Sequence, residues 1–125
     1  MSGIISPLNG TLTTVGAGTL TAALLLGQNI TRTGPTGAAA DTFDTAANIA
    51  AALNQTQSGF GGASWFVTYY NASAETITLT APAGGNFTLN GAAAAIPTDT
   101  LAVLLIIVSA AGAVTVTVLY RATAV

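Results

Sequence analysis

The chain has 125 residues, a net charge of −2 and only 5% charged residues. It contains no His, Cys or Lys, so the side chains that most often do acid–base, nucleophilic or zinc chemistry near neutral pH are missing. Two arginines without a basic cluster also argue against nucleic acid, whose phosphates demand cationic contacts, and against an anionic membrane surface.

In chain order, residues 1–17 mix Gly, Ser, Thr and Pro and read as an extended N-terminal arm, with Ile4, Ile5 and Leu8 as anchors on a neighbour. The apolar patch Ala22 to Leu26 is preceded by no Lys or Arg, unlike a secretory signal. Two strands are expected at Leu20 to Leu26 and Asn29 to Thr33, then a Gly/Pro turn at Gly34 to Gly37. The segment Asp44 to Leu53 predicts the one helix, at about 45–54. Ala is the best helix former, either Asp44 or Thr45 can cap it, and Ala46, Ile49, Ala50 and Leu53 share a face.

Beyond residue 63 the pattern is strand after strand: Ser64 to Asn71, Glu75 to Ala81, Asn86 to Asn90, Leu101 to Val108 and Ala113 to Thr123. The uncharged run Thr100 to Leu119 is long enough to span a bilayer as a helix. Its β-branched content, the turn at Ser109 to Gly112 and the alternation in Val114 to Val118 predict a hairpin instead. The fold class expected is mainly β: a single-domain β-sandwich or barrel over residues 18–125, with one short α-helix.

Two groups of side chains stand out. Arg32, Asp41 and Asp44 form the one cluster of charge. The two carboxylates could offer hard oxygen ligands to a cation; the structural alternative has one Asp capping the helix while Arg32 pairs with the other. Trp65, Phe66, Tyr69 and Tyr70 gather aromatics into one strand. Alternation puts Trp65, Val67 and Tyr69 on one face and Phe66, Thr68 and Tyr70 on the other, so core and subunit interface share them; a glycan-stacking platform is the competing use. Arg121 is expected to pair with Glu75 or Asp99.

The block Ile30 to Pro35, followed by Asp41 to Ile49, resembles small virion structural proteins of tailed bacteriophages, in which an R-x-G-P turn leads to a D-T-x-D-T-A-A-N-I helix start. A Gly-containing loop at Gly59 to Ala63, a strand ending in Asn71 and the strand Thr76 to Leu79 continue the likeness, which covers roughly residues 18–123. The stretch Thr36 to Ala40 lacks the aromatic usual after the turn. The resemblance implies a non-enzymatic virion component without cofactors, assembled in the bacterial host cytoplasm. As a capsid decoration or cement protein it would be a homo-oligomer, a trimer more than a dimer, bound across boundaries of the major capsid protein. A tail or head-surface fibre module that binds host glycan is the other reading.

Composition supports an assembled life independently. A compact chain of 12.2 kDa exposes on the order of 6,000 Å² by surface scaling. Six charged side chains are sparse on that area; burial against protein is the simpler explanation of the shortage, and an ordinary β-domain whose surface is covered by Thr and other neutral polar side chains is the alternative.

Overall fold

The computed structural model describes residues 8–56, 62–90 and 95–123. The fold is mainly β. Among the described residues, two separate sheets pack as a sandwich rather than closing into a barrel, and two helices accompany them. The strands are β1 (Leu8–Leu12), β2 (Gly18–Leu20), β3 (Gln28–Arg32), β4 (Ala39–Phe43), β5 (Gly62–Asn71), β6 (Ile77–Thr80), β7 (Phe87–Asn90), β8 (Ala95–Ile96), β9 (Thr100–Ser109) and β10 (Val114–Thr123); the helices are α1 (Ala22–Gly27) and α2 (Ala46–Thr56).

The larger sheet has the order β1-β3-β5-β9-β10-β7 and the smaller one β2-β4-β6-β8. The first three strands of each sheet are parallel, because the chain lays them down in alternation. It runs along the larger sheet, turns a corner onto the smaller, and returns through a helix: β1-β2-α1, then β3-β4-α2, then β5-β6. A parallel neighbour requires such a crossover, and winding supplies it. From β9 onward the winding stops, and β9 pairs antiparallel with both β5 and β10. The expected hairpin is this β9–β10 pair. Among the described residues no helix is long and apolar enough to cross a membrane.

Both sheets and both helices contribute to one buried cluster, including Leu20, Phe43, Ile77 and Ile96 from the smaller sheet and Ile30, Val67, Tyr69, Leu104 and Val116 from the larger. The rings of Phe43 and Phe87, 5.4 Å apart, join β4 to β7 across the layers. Helix α2 presents its expected face: Ala46, Ile49 and Leu53 are buried and Ala50 packs beside them.

Several elements depart from the sequence-based expectation. Residues 8–12, assigned above to an arm, form the edge strand β1, paired in parallel with β3. Leu8 opens that strand, while Ile4 and Ile5 lie outside the described residues. The segment expected as a strand at 20–26 is mostly helix α1. Thr21, in extended geometry, caps it by accepting from the Leu24 amide, and Gln28 ends it in the left-handed region at φ 74°. Ala and Leu, not β-branched residues, fill that turn, so local propensity favours the helix. Strand β4, read as loop, exists because β2 and β6 flank it on both sides.

Candidate functional site

Two features of the larger sheet concentrate unusual chemistry: a buried polar corner on its inner side and a bare apolar face on its outer side. The corner forms where β1, β3 and β5 end in register, at Leu12, Arg32 and Asn71. Arg32 is fully buried against Asp41, its Nε donating to Oδ2 at 2.8 Å. The rest of its guanidinium clamps the preceding circuit, Nη1 donating to the Thr14 carbonyl and Nη2 to that of Gly16, both at 2.7 Å, while Nη1 also donates to the adjacent Thr33 carbonyl at 2.7 Å. A rigid planar fork suits this work, since it presents five N–H donors from three nitrogens, where an ammonium presents three from one. Asp41 completes the site by accepting the Gly18 amide at 3.1 Å and the Tyr69 hydroxyl at 2.6 Å. Burial, then the hydrogen bond to Asp41 and its charge, push the Tyr69 phenol well above its ordinary pKa.

This geometry explains the R-x-G-P turn. Thr13 and Thr14 cross directly over Gly34, where an added Cβ would lie 2.2 Å from the Thr13 carbonyl oxygen, and φ there is 106°. Only glycine meets both conditions. One circuit later Asn71 occupies the position equivalent to Arg32 and has an equivalent task. Its amide nitrogen lies 2.7, 2.8 and 3.1 Å from the carbonyls of Glu75, Ile96 and Pro97, while its oxygen accepts from the Ser73 amide and hydroxyl. Among the described residues no buried side-chain nitrogen or oxygen lacks a partner.

Asp44 joins the two helices instead. Its carboxylate accepts the Ala22 amide at 2.9 Å, at the start of α1, together with the Thr45 amide and the Asn48 side chain at the start of α2. Thr45 adds its own hydroxyl under the Asn48 amide. Partial burial raises the Asp44 pKa, but the bonds from Asn48, Ala22 and Thr45 together outweigh it and hold the carboxyl below its ordinary value. Of the paired readings, the structural one describes these residues: Asp41 pairs with Arg32 and Asp44 serves the helix ends. Among the described residues no group of three acidic, His or Cys side chains is placed to hold a metal. Arg121 reaches neither Glu75 nor Asp99 as its ion-pair partner; its Nη1 donates instead to the Ala95 carbonyl at 2.6 Å.

The aromatic strand β5 is divided as alternation requires. Trp65 and Tyr69 are buried, and the indole Nε1 of Trp65 donates to the Leu25 carbonyl at 2.9 Å, fastening the end of α1. These two are therefore core rather than interface residues. Phe66 and Tyr70 face outward, Phe66 58% exposed and Tyr70 half-buried with its hydroxyl on Asp99. That hydrogen bond, more than the slight burial and the charge of Asp99, raises the Tyr70 pKa.

Phe66 belongs to a larger surface that the aromatic pattern alone did not reveal. On β9 the residues Ala102, Leu104, Ile106 and Val108 are buried in the sandwich, while Leu101, Val103, Leu105 and Ile107 point the other way. Registration across the sheet sets Phe66 beside Leu105 and Thr117, and Thr68 beside Val103 and Tyr120. Outside this centre the same face carries Asn29 and Thr31 on β3 and Thr88 and Asn90 on β7. The result is an apolar centre with a polar rim, in which Asp99 beside Tyr70 carries charge; this is the anatomy of a protein interface. The signal was present in the sequence: Leu101 to Val108 is apolar at every position, as in strands covered on both sides. A groove beside α2, lined by Ala46, Ala47, Ala50, Gly84, Gly85 and Gly112 among others, offers small side chains and no charge.

With Arg32 and Asp41 sealed in the corner, four charged side chains remain for a surface of 5995 Å², where an average domain of this length carries about thirty charged residues. No protein family, curated protein or solved structure matches the chain.

Proposed function

We propose that the chain is a structural component of a bacteriophage virion, a capsid decoration protein that works as a homo-oligomer bound to the major capsid protein. The observation that carries this reading is the outer face of the larger sheet: apolar at its centre and polar at its rim, where Asp99 meets the Tyr70 hydroxyl, on a molecule with almost no surface charge. A protein that spent its working life alone in water would need that face covered. The particle itself is suggested by the likeness of residues 30–49 to small virion proteins, and the structure gives that block a physical purpose, since Arg32, Gly34, Asp41 and Asp44 fasten one circuit to the next.

The mechanism is mechanical. Each copy contributes modest apolar contacts, and repetition over a lattice turns them into a durable hold through effective concentration. No catalysis is assigned. The one charge cluster is consumed in holding backbone carbonyls and amides, which leaves it nothing to offer a substrate. The fibre-module reading loses one of its candidate stacking residues, because Trp65 turns its ring into the core and cannot stack on a sugar.

The test is to add purified protein to capsids that lack it. Saturable co-sedimentation and a higher temperature of genome release are expected. A monomer at micromolar concentration with no affinity for particles overturns the reading.

A further inference from the structure

The outer face of the larger sheet has a pattern that specifies its partner more closely than its hydrophobicity does. Four positions surround the middle of β9: Phe66 and Thr68 on β5, Thr117 and Tyr120 on β10. Phe66 and Thr117 flank Leu105, whereas Thr68 and Tyr120 flank Val103. The two protruding aromatics, 58% and 60% exposed, therefore sit at diagonal corners of a square whose other corners are threonines.

Such a square complements itself. Rotation by 180° about an axis in the plane of the contact, along β9 or across it, places each aromatic of one copy over a threonine of the other. Large side chains then meet small ones, and the ridge of β9 meets its own counterpart. We propose that this face is covered by the same face of a second copy, the two larger sheets packing against each other about a two-fold axis. The proposal rests on the reading that the chain works assembled, and it identifies the first partner as the chain itself.

Size and charge agree with it. At ~3.3 Å per residue and ~4.8 Å between strands, the six strands give a face of about 700 Å². A standard interface takes about 800 Å² from each partner. No charged side chain points from the described centre of the face, and Asp99 lies at the rim on the Tyr70 hydroxyl, so an identical surface brings no like-charge repulsion at the centre of the contact, where a charged partner would find nothing to match. Sheets packed face to face about 10 Å apart are a standard arrangement, so the pair would be a second sandwich built from two first ones. A two-fold pair of this kind replaces the trimer that the virion resemblance implies as the basic unit.

Light scattering after size exclusion tests the pairing. The native chain, 12.2 kDa as a monomer, is expected to run at twice that mass. Leu105→Lys is expected to weaken association by about 100-fold or more, since it buries an unpaired charge at the centre of the contact. Phe66→Lys should do the same. Its side chain is largely solvent-exposed in the single copy, so it reports on association even where Leu105→Lys disturbs folding. Thr78→Lys, on the exposed side of the smaller sheet, should leave the pair intact. Because the chain has no cysteine, Thr68→Cys alone should permit cross-linking between copies with a short bismaleimide, and Thr78→Cys should not. A monomeric native chain, or a dimer or trimer indifferent to both lysines on the face, overturns the proposal. A monomer that still binds capsids overturns the pairing alone, and a dimer that ignores capsids overturns only the virion reading.

Discussion

The corner around Arg32 and the outer face of β9 lie on opposite sides of one sheet and treat their surroundings in opposite ways. At the corner, two full charges are buried, and among the described residues no buried side-chain nitrogen or oxygen lacks a partner. On the face, half-exposed Leu101, Val103 and Leu105 stand in a row beside exposed Ile107, Phe66 and Tyr120, and none of the described residues covers them. A buried ion pair contributes little net stability but is severe to disrupt, because its loss leaves one charge unanswered. An exposed apolar side chain contributes little to a lone chain and much to an interface. The corner thus fixes the winding of the chain, and the face is available for what lies outside it.

Breaking the corner should give the largest effect. Arg32→Met would strand Asp41 in the core and release the carbonyls of Thr14, Gly16 and Thr33. A loss of about 3–5 kcal/mol is expected in urea unfolding. The double variant Arg32→Met/Asp41→Leu should recover part of it, since the unpaired charge disappears; a double variant as unstable as the sum of its parts would mean that the carbonyl clamp, not the ion pair, matters most. Asn71→Ala comes next. It removes the donor that serves Glu75, Ile96 and Pro97, with an expected loss of about 2 kcal/mol in the same measurement.

The two regions were unequally legible in the sequence. The β9–β10 hairpin, the division of β5 between two faces and the inner face of α2 follow from period-two and helical spacing, which are local properties. Which face of β5 is core does not follow from spacing, and Trp65 was as eligible for the interface as Phe66. The winding was hidden because its circuits are unequal: Leu8 pairs with Gln28, but Asn29 pairs with Thr68, so one circuit takes 20 residues and the next 39. No fixed period exists to be detected. Strands β2 and β4 are held by parallel neighbours distant in sequence, and Ala39 to Phe43 carries no strand pattern of its own. Helix α1 was legible and misread. Thr21 before a run of Ala and Leu is a cap followed by helix formers, and the apolar continuity obscured it. The Arg32–Asp41 pairing was one of two readings of a charge cluster, and its clamp on the preceding circuit needed the fold.

A smaller effect probes the corner's neighbour. Asp44→Ala removes the acceptor at the starts of both α1 and α2 and should lower stability by about 1 kcal/mol at neutral pH, as for a lost cap. Because the folded chain holds this carboxyl below its ordinary value of 3.8, its contribution is complete above that pH and is lost as pH falls through the folded value. The native chain should therefore lose stability on acidification below 3.8 more steeply than Asp44→Ala, as followed by thermal unfolding; parallel pH profiles would contradict the assignment.

The smallest effect on the single chain is expected at the face, and its smallness is informative. Phe66→Ser removes a large ring that is 58% exposed and leaves the inner core of β5, Trp65, Val67 and Tyr69, untouched. Unfolding of the isolated monomer should change by no more than about 0.5 kcal/mol, the usual range for surface positions. Association is another matter: a ring that covers a threonine of a partner is an anchor, and its truncation should weaken self-association by tenfold or more, about 1.4 kcal/mol, measured by sedimentation at a series of concentrations. Serine introduces no charge, so a weakened pair reports the loss of contact and not the burial of an ion. A stable monomer with an unchanged association constant would show that the face is merely tolerated. A destabilised monomer would show that the ring belongs to the inner fold after all, and the contrast between corner and face would collapse. The separation of the two readouts, association lost and folding kept, is what makes an exposed apolar face a contact surface rather than an unfinished core.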